Sequence, residues 1–361
     1  LAKMGEVLTN SQIGGRRNLV INGAMQVAQR ATSSTSTGYA TVDRIMVRTN
    51  NLDQLAFTQS QSSTVPSGEG FSNSFKFEVT TKEDALSGGE YANIQHRIEA
   101  QNLQSLAYGT SDAKKATLSF WVRSSLTGKY SVLFFAEDDT RSNTQSFTIS
   151  SANTWEHKTI TIDGDTTGVI DNNNGSGINI NFQLAAGGDY AGTPHSGWGA
   201  YAETDDFAFD DQVNFIAQTG TFYLTGLQFE IGSQDTPFEH RSFGEELQLC
   251  KRYFQKVGTD NGSLGAMMTM FATRNTTNQA LLCYPCPVPL RTIPSITKNG
   301  SYTLYGSGEN IAAGDILANG TNQTLFQQVT FSITGTGISS GNASVLYGSG
   351  SDCHFTFDSE L

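Results

Sequence analysis

The sequence predicts an all-β protein made of two β-sandwich, jelly-roll-like domains joined by one α-helix. Runs in which apolar and polar residues alternate occupy most of the chain, on both sides of a single amphipathic segment. Glycine is abundant, with 37 residues against 7 prolines, and it recurs with Asn and Asp in short segments typical of turns between strands. Hydrophobic residues make up 37% of the 361 residues and aromatic residues 10%, which is enough to form cores.

The N-terminal domain is predicted over residues 16–241. Its runs are short and rich in β-branched and aromatic residues, and Phe75 to Val79 alternates strictly between apolar and polar positions. The predicted strands are residues 18–21, 44–48, 75–79, 117–123, 130–135, 146–149, 155–162, 178–184 and 221–231. This number of short antiparallel strands is typical of a sandwich of the jelly-roll kind.

A linker helix is predicted over residues 242–257. Ser242 and Glu245 have the spacing of a capping box, in which each side chain accepts a hydrogen bond from the backbone of the other. Cys250 and Phe254 fall on one face at helical spacing. We expect this helix to connect the two β domains.

Two further segments complete the predicted organisation. Residues 258–361 return to alternating patterns and predict a second, small β-sandwich, and residues 1–15 form a short leader. The leader has helix-like spacing of apolar residues but is too short to fold alone, so it is expected either to dock on a partner or to stay an unstructured terminus. The predicted C-terminal strands are residues 267–271, 280–284, 301–305, 328–333 and 343–347.

The charge of the chain excludes one class of partner. There are 22 Lys and Arg against 34 Asp and Glu, a formal net charge of -12. A generic nucleic-acid-binding protein needs a basic face to displace counterions from phosphates, so nucleic acid is not expected as a partner. No run of about 18 apolar residues occurs, and the sequence therefore predicts no insertion into a membrane.

The sequence predicts no catalytic residues, and hence a protein that is not an enzyme. Cys283 and Cys286 have C-x-x-C spacing, but a zinc site would need a second pair. The G-x-S-x-G motif at residues 337–341 is not followed by the helix that a nucleophile elbow requires. Adjacent carboxylates such as Asp138 and Asp139 invite comparison with glycosidases, yet solvated loop carboxylates are the expectation here.

An aspartate-rich loop is the one candidate metal site. Asp205, Asp206, Asp210 and Asp211 lie close together in the sequence, and their oxygens could coordinate calcium. The loop lacks the spacing of a defined calcium-binding loop. No cofactor is expected, and a structural calcium ion at these residues is the alternative left open.

The loop around residue 195 carries the candidate glycan-binding residues. Tyr190, Trp198 and Tyr201 lie there among glycines. An aromatic ring with adjacent polar groups suits sugar recognition, because it can cover the C–H face of a pyranose. The alternative is that these rings plug one end of the sandwich.

Several stretches of the chain resemble tail-fibre and related virion structural proteins of bacteriophages, especially marine ones. The resemblance is specific over about residues 16–255, and the ending FTFDSEL resembles the C-terminus of such chains. The stretches that carry it are RNLVINGAMQVAQR at 17–30, YATVDR at 39–44, TFYLTGLQFEIG at 221–232, TPFEHRSFGEEL at 236–247, CKRY at 250–253 and FTFDSEL at 355–361.

The first domain is also similar to carbohydrate-binding modules of the β-jelly-roll kind. Residues 18–23, 118–123 and 222–227, with Trp155, stand where those modules have their opening, central and final strands. The last strand of the modules usually carries an Asp near the position of Thr225, which this chain lacks. Sugar-contacting positions vary within the architecture, so the resemblance transfers no binding residue.

The resemblance implies a non-enzymatic structural protein of a phage virion. We expect a tail fibre or similar appendage that contributes to attachment at a host-surface glycan, located on the virion and made in the host cytoplasm. The absence of a visible signal peptide agrees with that route. A capsid decoration protein or capsid fibre is one alternative, and a glycan depolymerase is the other.

The expected partners follow from the same resemblance. Other virion proteins would contact the leader, and host glycan would contact loops within residues 185–211 or the C-terminal domain. Single shallow sugar sites bind weakly, and repeated copies gain avidity without new contacts. A homo-oligomer is therefore expected, and the resemblance favours a trimer.

Overall fold

A computed structural model of the chain describes residues 17–259, 270–276, 279–306, 309–319, 326–334 and 343–361. The chain divides into two units, unit 1 comprising Leu1–Leu247 with Leu361 and unit 2 comprising Gln248–Glu360. Three predicted features lie outside the described residues, namely the leader at 1–15, residues 267–269 of one strand, and the motif at 337–341.

Unit 1 consists almost entirely of strands and the turns between them. Two short 3-10 helices, Ala100–Leu106 and Phe215–Ala217, and the four-residue helix α1, Glu203–Asp206, are the helical segments that the described residues contain before residue 243. The strands are β1 (Ser33–Ser34), β2 (Met46–Asn50), β3 (Ala56–Ser62), β4 (Ser74–Thr81), β5 (Tyr91–Glu99), β6 (Ala116–Ser124), β7 (Gly128–Ala136), β8 (Arg141–Ile149), β9 (Glu156–Ile162), β10 (Ser176–Ala186), β11 (Ala191–Gly192), β12 (Gly199–Ala200), β13 (Ala208–Phe209) and β14 (Gly220–Ile231).

Twelve of the described strands of unit 1 form two six-stranded antiparallel sheets, and β11 and β13 pair with each other in parallel. Sheet I has the order β1-β3-β4-β14-β6-β9, and sheet II has the order β12-β8-β7-β10-β5-β2. Strands that are neighbours in a sheet are often distant in the sequence, as β14 is from β4 and β6, which is typical of jelly rolls rather than of simple meanders. The all-β prediction is confirmed.

The core lies between the inner faces of these two sheets. Phe120 of β6 is completely buried, and its ring makes edge-to-face contacts with Phe147 of β8 at 5.1 Å and Phe182 of β10 at 5.0 Å between centroids. Aromatic pairs in this geometry stabilise more than their buried area alone. The core thus joins β6 of sheet I to β8 and β10 of sheet II.

A cluster of hydrogen bonds, which we term the terminal clamp, connects the start of unit 1 to its end. The backbone N–H groups of Asn18 and Asn22 donate to Glu239 Oε2 and Glu246 Oε1, both at 2.5 Å. Arg241 Nη2 donates to the carbonyl oxygen of Asn18 at 2.5 Å. Residues 18–21 are therefore not a strand, and that prediction is wrong, because side chains rather than a β ladder hold this backbone.

The linker helix is shorter than predicted. Helix α2 covers Phe243–Lys251, and its N-terminus has the predicted capping box, with Ser242 N donating to Glu245 Oε2 at 2.9 Å and Glu245 N donating to Ser242 Oγ at 3.3 Å. Residues 254–257, placed in the helix by their spacing, belong to a strand instead. Phe254 is buried there, and strand pairing outweighs helix propensity at such a site.

The described strands of unit 2 form one seven-stranded sheet. Strand β21 pairs with β15 and β16 along one edge and with β18 along the other, so the described strands form a sheet that closes on itself. Its strands are β15 (Phe254–Thr259), β16 (Met270–Thr276), β17 (Gln279–Pro285), β18 (Ser295–Gly306), β19 (Glu309–Asn319), β20 (Phe326–Thr334) and β21 (Ala343–Asp358).

The core of unit 2 is built on alternate residues of β21. Phe355 and Phe357 are fully buried, and their rings contact Tyr302 at 4.9 Å and Tyr284 at 5.0 Å between centroids. As in the strands of unit 1, residues at alternate positions of β21 point into the core. Within the described ranges, no helix has the length and apolar character needed to cross a membrane.

Candidate functional site

The outer face of sheet II carries a row of amide side chains. In β5 and β10, residues that enter the core alternate with polar residues on the opposite face, as the pleat of a strand requires. The members of this amide row are Asn93, Gln95, Asn179, Asn181 and Gln183, all buried. Outward-facing positions of a sheet are usually solvated, so burial here means that another part of the chain covers them.

The covering element is the segment of residues 187–213, which we call the site loop. Its Phe207 carbonyl accepts a hydrogen bond from Gln183 Nε2 at 3.1 Å, and its Phe209 N–H donates to Ser131 Oγ of β7 at 3.0 Å. The ring of Phe207 also packs 4.9 Å from that of Tyr91 on β5. The loop therefore lies across the outer face of sheet II.

One buried carboxylate holds the site loop in shape. Asp206 is 2% exposed, and its Oδ1 lies 2.7 Å from His195 Nδ1 and accepts from the His195 N–H at 3.3 Å. Its Oδ2 accepts from the Ala202 N–H at 2.7 Å. His195 Nε2 in turn lies 3.0 Å from the carbonyl oxygen of Ser142 on β8. This arrangement connects three points of the loop with the sheet beneath.

Between the site loop and the sheet lies a cavity of about 240 Å³, which we call the amide cavity. Its polar lining comes from the amide row, two arginines and two glutamates, and its aromatic lining from both sheet and loop. The polar members are Gln95, Asn179, Asn181, Arg48, Arg97, Glu137 and Glu203, and the aromatic members are Tyr91, Phe135, Tyr201 and Phe207.

Hydrogen bonds along the floor fix the polar groups of the amide cavity. Arg97 Nε donates to Gln95 Oε1 at 2.9 Å, and Gln95 Nε2 donates to Asn181 Oδ1 at 2.5 Å. At the other end, Asn179 Nδ2 donates to Glu137 Oε2 at 2.7 Å. Groups held in this way present their remaining donors and acceptors without losing side-chain entropy when a ligand binds.

The amide row has hydrogen-bonding capacity that the described residues do not use. Asn93 and Gln183 face each other across β5 and β10. Among the described residues, both side-chain polar atoms of Asn93 and the Oε1 of Gln183 are buried without a hydrogen-bond partner. Buried amides are nearly always satisfied, so this row is polar beyond what the fold needs.

The electrostatics of the amide cavity are balanced, with Arg48 and Arg97 against Glu137 and Glu203. Burial, followed by the nearby carboxylates of Glu203 and Asp206, raises the pKa of Tyr201 well above its usual range. The Tyr201 hydroxyl therefore stays protonated at neutral pH and can donate a hydrogen bond. The cavity suits a neutral ligand with many hydroxyl groups.

The structure brings together two of the three predicted aromatic residues. Tyr201 lines the amide cavity and packs edge-on against Phe135, at 5.0 Å between centroids. Tyr190 lies behind it, 5.1 Å from the ring of Phe207. Trp198 lies elsewhere, because its ring packs on Tyr108 at 5.6 Å and its Nε1 donates to the carbonyl oxygen of Asp163.

The four predicted calcium ligands do not converge. Asp206 is occupied by His195 and Ala202, Asp211 pairs with Lys129 at 2.6 Å, and Asp205 and Asp210 are exposed. Within the part of the chain that the structure describes, no group of three or more His, Cys, Asp or Glu side chains is arranged to hold a metal ion.

The residues that the sequence did not single out are the amides and arginines of the floor. They sit in ordinary alternating strands, such as ININ at 178–181 and ANIQHRIE at 92–99, where polar positions predict a solvated face. The signal in the sequence that could have found them is the type of polar residue. Asn, Gln and Arg occupy positions where a solvent-facing sheet usually has Lys, Glu and Thr.

No protein-family profile and no curated protein sequence matches the chain. Among solved structures, similar chains include the enzymatically active domain of tailspike protein 4 from bacteriophage CBA120 (13% identity over 59% of this chain, TM-score 0.33). This match spans 21% of the tailspike's own length. The family 11 carbohydrate-binding module of the Clostridium thermocellum cellulase Lic26A-Cel5E (11% identity, 56% of this chain, 96% of the module, TM-score 0.28) and an exo-β-agarase (12% identity, 80% of this chain, 40% of the agarase, TM-score 0.31) are also similar.

Proposed function

We propose that this protein is a non-enzymatic structural protein of a phage virion, a tail fibre or similar appendage that attaches to a host-surface glycan through the amide cavity. The virion role rests on the sequence resemblance of residues 16–255. The glycan-binding role rests on one structural observation, the combination of fixed amides, arginines and aromatic rings in a single cavity on the outer face of sheet II.

The lining of the cavity matches the chemistry of a sugar. Each hydroxyl of a sugar both donates and accepts hydrogen bonds, and an amide side chain such as that of Asn181 offers both kinds of partner. Arg97 adds donors, Glu203 adds acceptors, and the ring of Tyr201 offers an apolar surface to C–H groups. A phosphate or sulfate would instead call for an excess of positive charge, which this cavity does not have.

The size of the cavity indicates how much of a glycan it takes. Pockets for drug-sized ligands measure roughly 300–1,000 Å³. At about 240 Å³, the amide cavity suits one terminal sugar residue rather than a long chain. A site of this size binds weakly alone, so the proposal includes a homo-oligomer, with a trimer favoured, whose copies bind one envelope together.

The test is binding of the full chain to polysaccharide from the host envelope, measured by calorimetry with an Arg97→Ala variant. Loss of hydrogen bonds to a charged group costs about 1.5–3 kcal/mol, so we expect affinity to fall by at least about tenfold. Arg123→Ala is the matched control, since Arg123 is a half-buried arginine on β6 of the other sheet. Equal affinity of both variants and wild type would exclude the amide cavity as the site.

The virion role has a separate test. Gold-labelled antibody against the chain, viewed on purified particles by electron microscopy, is expected to mark the tail. Labelling over the whole capsid surface would instead support the capsid decoration protein or capsid fibre. Absence of the chain from purified particles would contradict both forms of the virion proposal.

The depolymerase alternative has one observation in its favour, because Glu137 and Glu203 line the same cavity. Glycoside hydrolysis needs two carboxylates on either side of the bond that is cut. We expect no release of reducing ends when the protein is incubated with host polysaccharide. Release that disappears in a Glu203→Gln variant would replace the binding role by a catalytic one.

A further inference from the structure

A second cavity lies on the outer face of sheet I, on the opposite side of unit 1 from the amide cavity. It measures about 590 Å³, well within the range of roughly 300–1,000 Å³ typical of small-molecule sites. Its floor is formed by Trp121 of β6 and Gly226 of β14, and one side by His157 of β9. The loop residues Phe71 and Phe238 line it as well, and we call it the tryptophan cavity.

A β-bulge shapes the floor of the tryptophan cavity. The pairing of β14 with β6 shifts register between Thr225 and Gln228, and Gly226 within this bulge has a φ of 62°. A Cβ atom at Gly226 would lie 2.7 Å from Phe71 Cζ and 3.1 Å from Trp121 Cδ1. Only glycine therefore lets both rings approach the strand, and bulges of this kind commonly redirect side chains beside binding sites.

The rings around the tryptophan cavity are held by one another. Phe71, Phe238 and His240 form a mutually packed trio with centroid distances of 4.9 to 5.1 Å. The Trp121 ring lies 5.1 Å from the ring of His157 and is only half-buried. A large, rigid and partly exposed indole beside polar groups is a surface on which another ring can stack.

The polar groups of the tryptophan cavity disfavour an anionic ligand. Exposed carboxylates of Glu69 and Asp235 line it together with His157 and His240, while no Lys or Arg is among its lining residues in the described chain. Carboxylates accept hydrogen bonds from hydroxyl groups, whereas they repel phosphate, sulfate or an acidic sugar. The apolar rings provide the complementary surface for C–H groups.

We propose that the tryptophan cavity is a second saccharide site, which binds a neutral sugar ring stacked on Trp121 with its hydroxyls directed to Glu69 and Asp235. The site is independent of the amide cavity, because the two lie on opposite sheets and share no residue. One unit 1 then binds two sugars, and each copy of the chain is bivalent before any oligomer forms.

The experiment titrates the full chain with neutral mono- and disaccharides, glucose, galactose, lactose and cellobiose, and follows tryptophan fluorescence. Stacking on Trp121 is expected to change the emission, and Trp121→Ala is expected to remove the change and weaken affinity by at least about tenfold. Trp155→Ala is the matched control, because Trp155 is a half-buried indole that packs on Tyr223 of the same sheet and does not line the cavity.

Two further variants keep the test decisive if Trp121→Ala does not fold. Asp235→Asn and Glu69→Gln alter only exposed side chains and are expected to weaken binding several-fold, and N-acetylneuraminic acid is expected to bind at least about tenfold more weakly than galactose. Binding that is lost in Arg97→Ala but unchanged in these variants would assign the sugar to the amide cavity, overturning the second site and leaving the proposed function intact. No binding of any neutral sugar, or tighter binding of the acidic one, would also overturn it.

Discussion

The buried carboxylate of Asp206 offers a sharp test of how the site loop is held. Asp206→Asn keeps the size of the side chain but replaces one oxygen by an amide nitrogen. If Oδ1 stays with His195, the new NH₂ group faces the Ala202 N–H, so a donor opposes a donor where a 2.7 Å hydrogen bond existed. The charge that pairs with the imidazole is lost as well.

The cost follows from these contacts. Asp206 is 2% exposed, so water cannot replace the lost partners. Hydrogen bonds to charged groups contribute about 1.5–3 kcal/mol each. The bond from Ala202 is lost and the two contacts with His195 are weakened, so the stabilisation lost is roughly 2–4 kcal/mol. Because the contacts lie within a loop, we expect much of this loss as local opening of residues 195–206 rather than as unfolding of the sandwich.

Hydrogen exchange of the full chain measures this directly. The amides of His195 and Ala202 are expected to exchange faster by a factor of at least ten in Asp206→Asn, with weaker binding of host glycan in the same sample. Asp205→Asn is the control, since Asp205 is an exposed neighbour whose change should cost less than about 0.5 kcal/mol. Equal exchange rates in both variants would refute the proposal that Asp206 holds the site loop in shape. If added calcium restored slow exchange, the result would favour a metal site instead.

Two further predictions concern the stability of unit 1. Burial alone would raise the pKa of Asp165, but its ion pair with Arg141 at 2.5 Å and hydrogen bonds from backbone N–H groups hold it below its usual value. The stabilisation from the charged Asp165 is therefore complete above about pH 4 and is lost as the pH falls through the lower pKa of the folded state. In urea titrations from pH 6 to pH 2, the free energy of unfolding should fall less in Asp165→Asn than in wild type. Phe120→Ala removes a fully buried ring between the sheets and should cost about 3–5 kcal/mol in the same assay, whereas a loss below about 1 kcal/mol would contradict the described core.

Much of the fold follows from alternation in the sequence, and the failures have local causes. Strands such as β4 and β14 are predicted nearly to their ends, because one face must be apolar along the whole strand. Residues 18–21 have the same apolar character, yet the Asn18 side chain accepts from Val20 N and Phe229 N and donates to Leu227 O, so it replaces a ladder. No local pattern distinguishes these two outcomes.

The candidate site was less predictable than the fold. Tyr201 stands out in the sequence because a large ring in a glycine-rich loop needs either a packing partner or a ligand to cover it. Arg97, Gln95 and Asn181 do not stand out, because a polar residue at an alternate position ordinarily faces water. The burial of Gln95 and Asn181 depends on the site loop folding back over sheet II, and for Gln95 that loop lies about a hundred positions further along the chain.

The terminal clamp has a mechanical consequence. It joins Asn18 and Asn22 to Glu239, Arg241 and Glu246, so the chain enters and leaves unit 1 at points bonded directly to each other. A pulling force applied between residue 17 and residue 247 therefore acts first on these short, charge-assisted bonds, which are loaded together. Asn18 is also bonded to Leu227 and Phe229 of β14, so part of the load passes to sheet I, whereas sheet II, which carries the amide cavity on its outer face, takes part in none of these bonds.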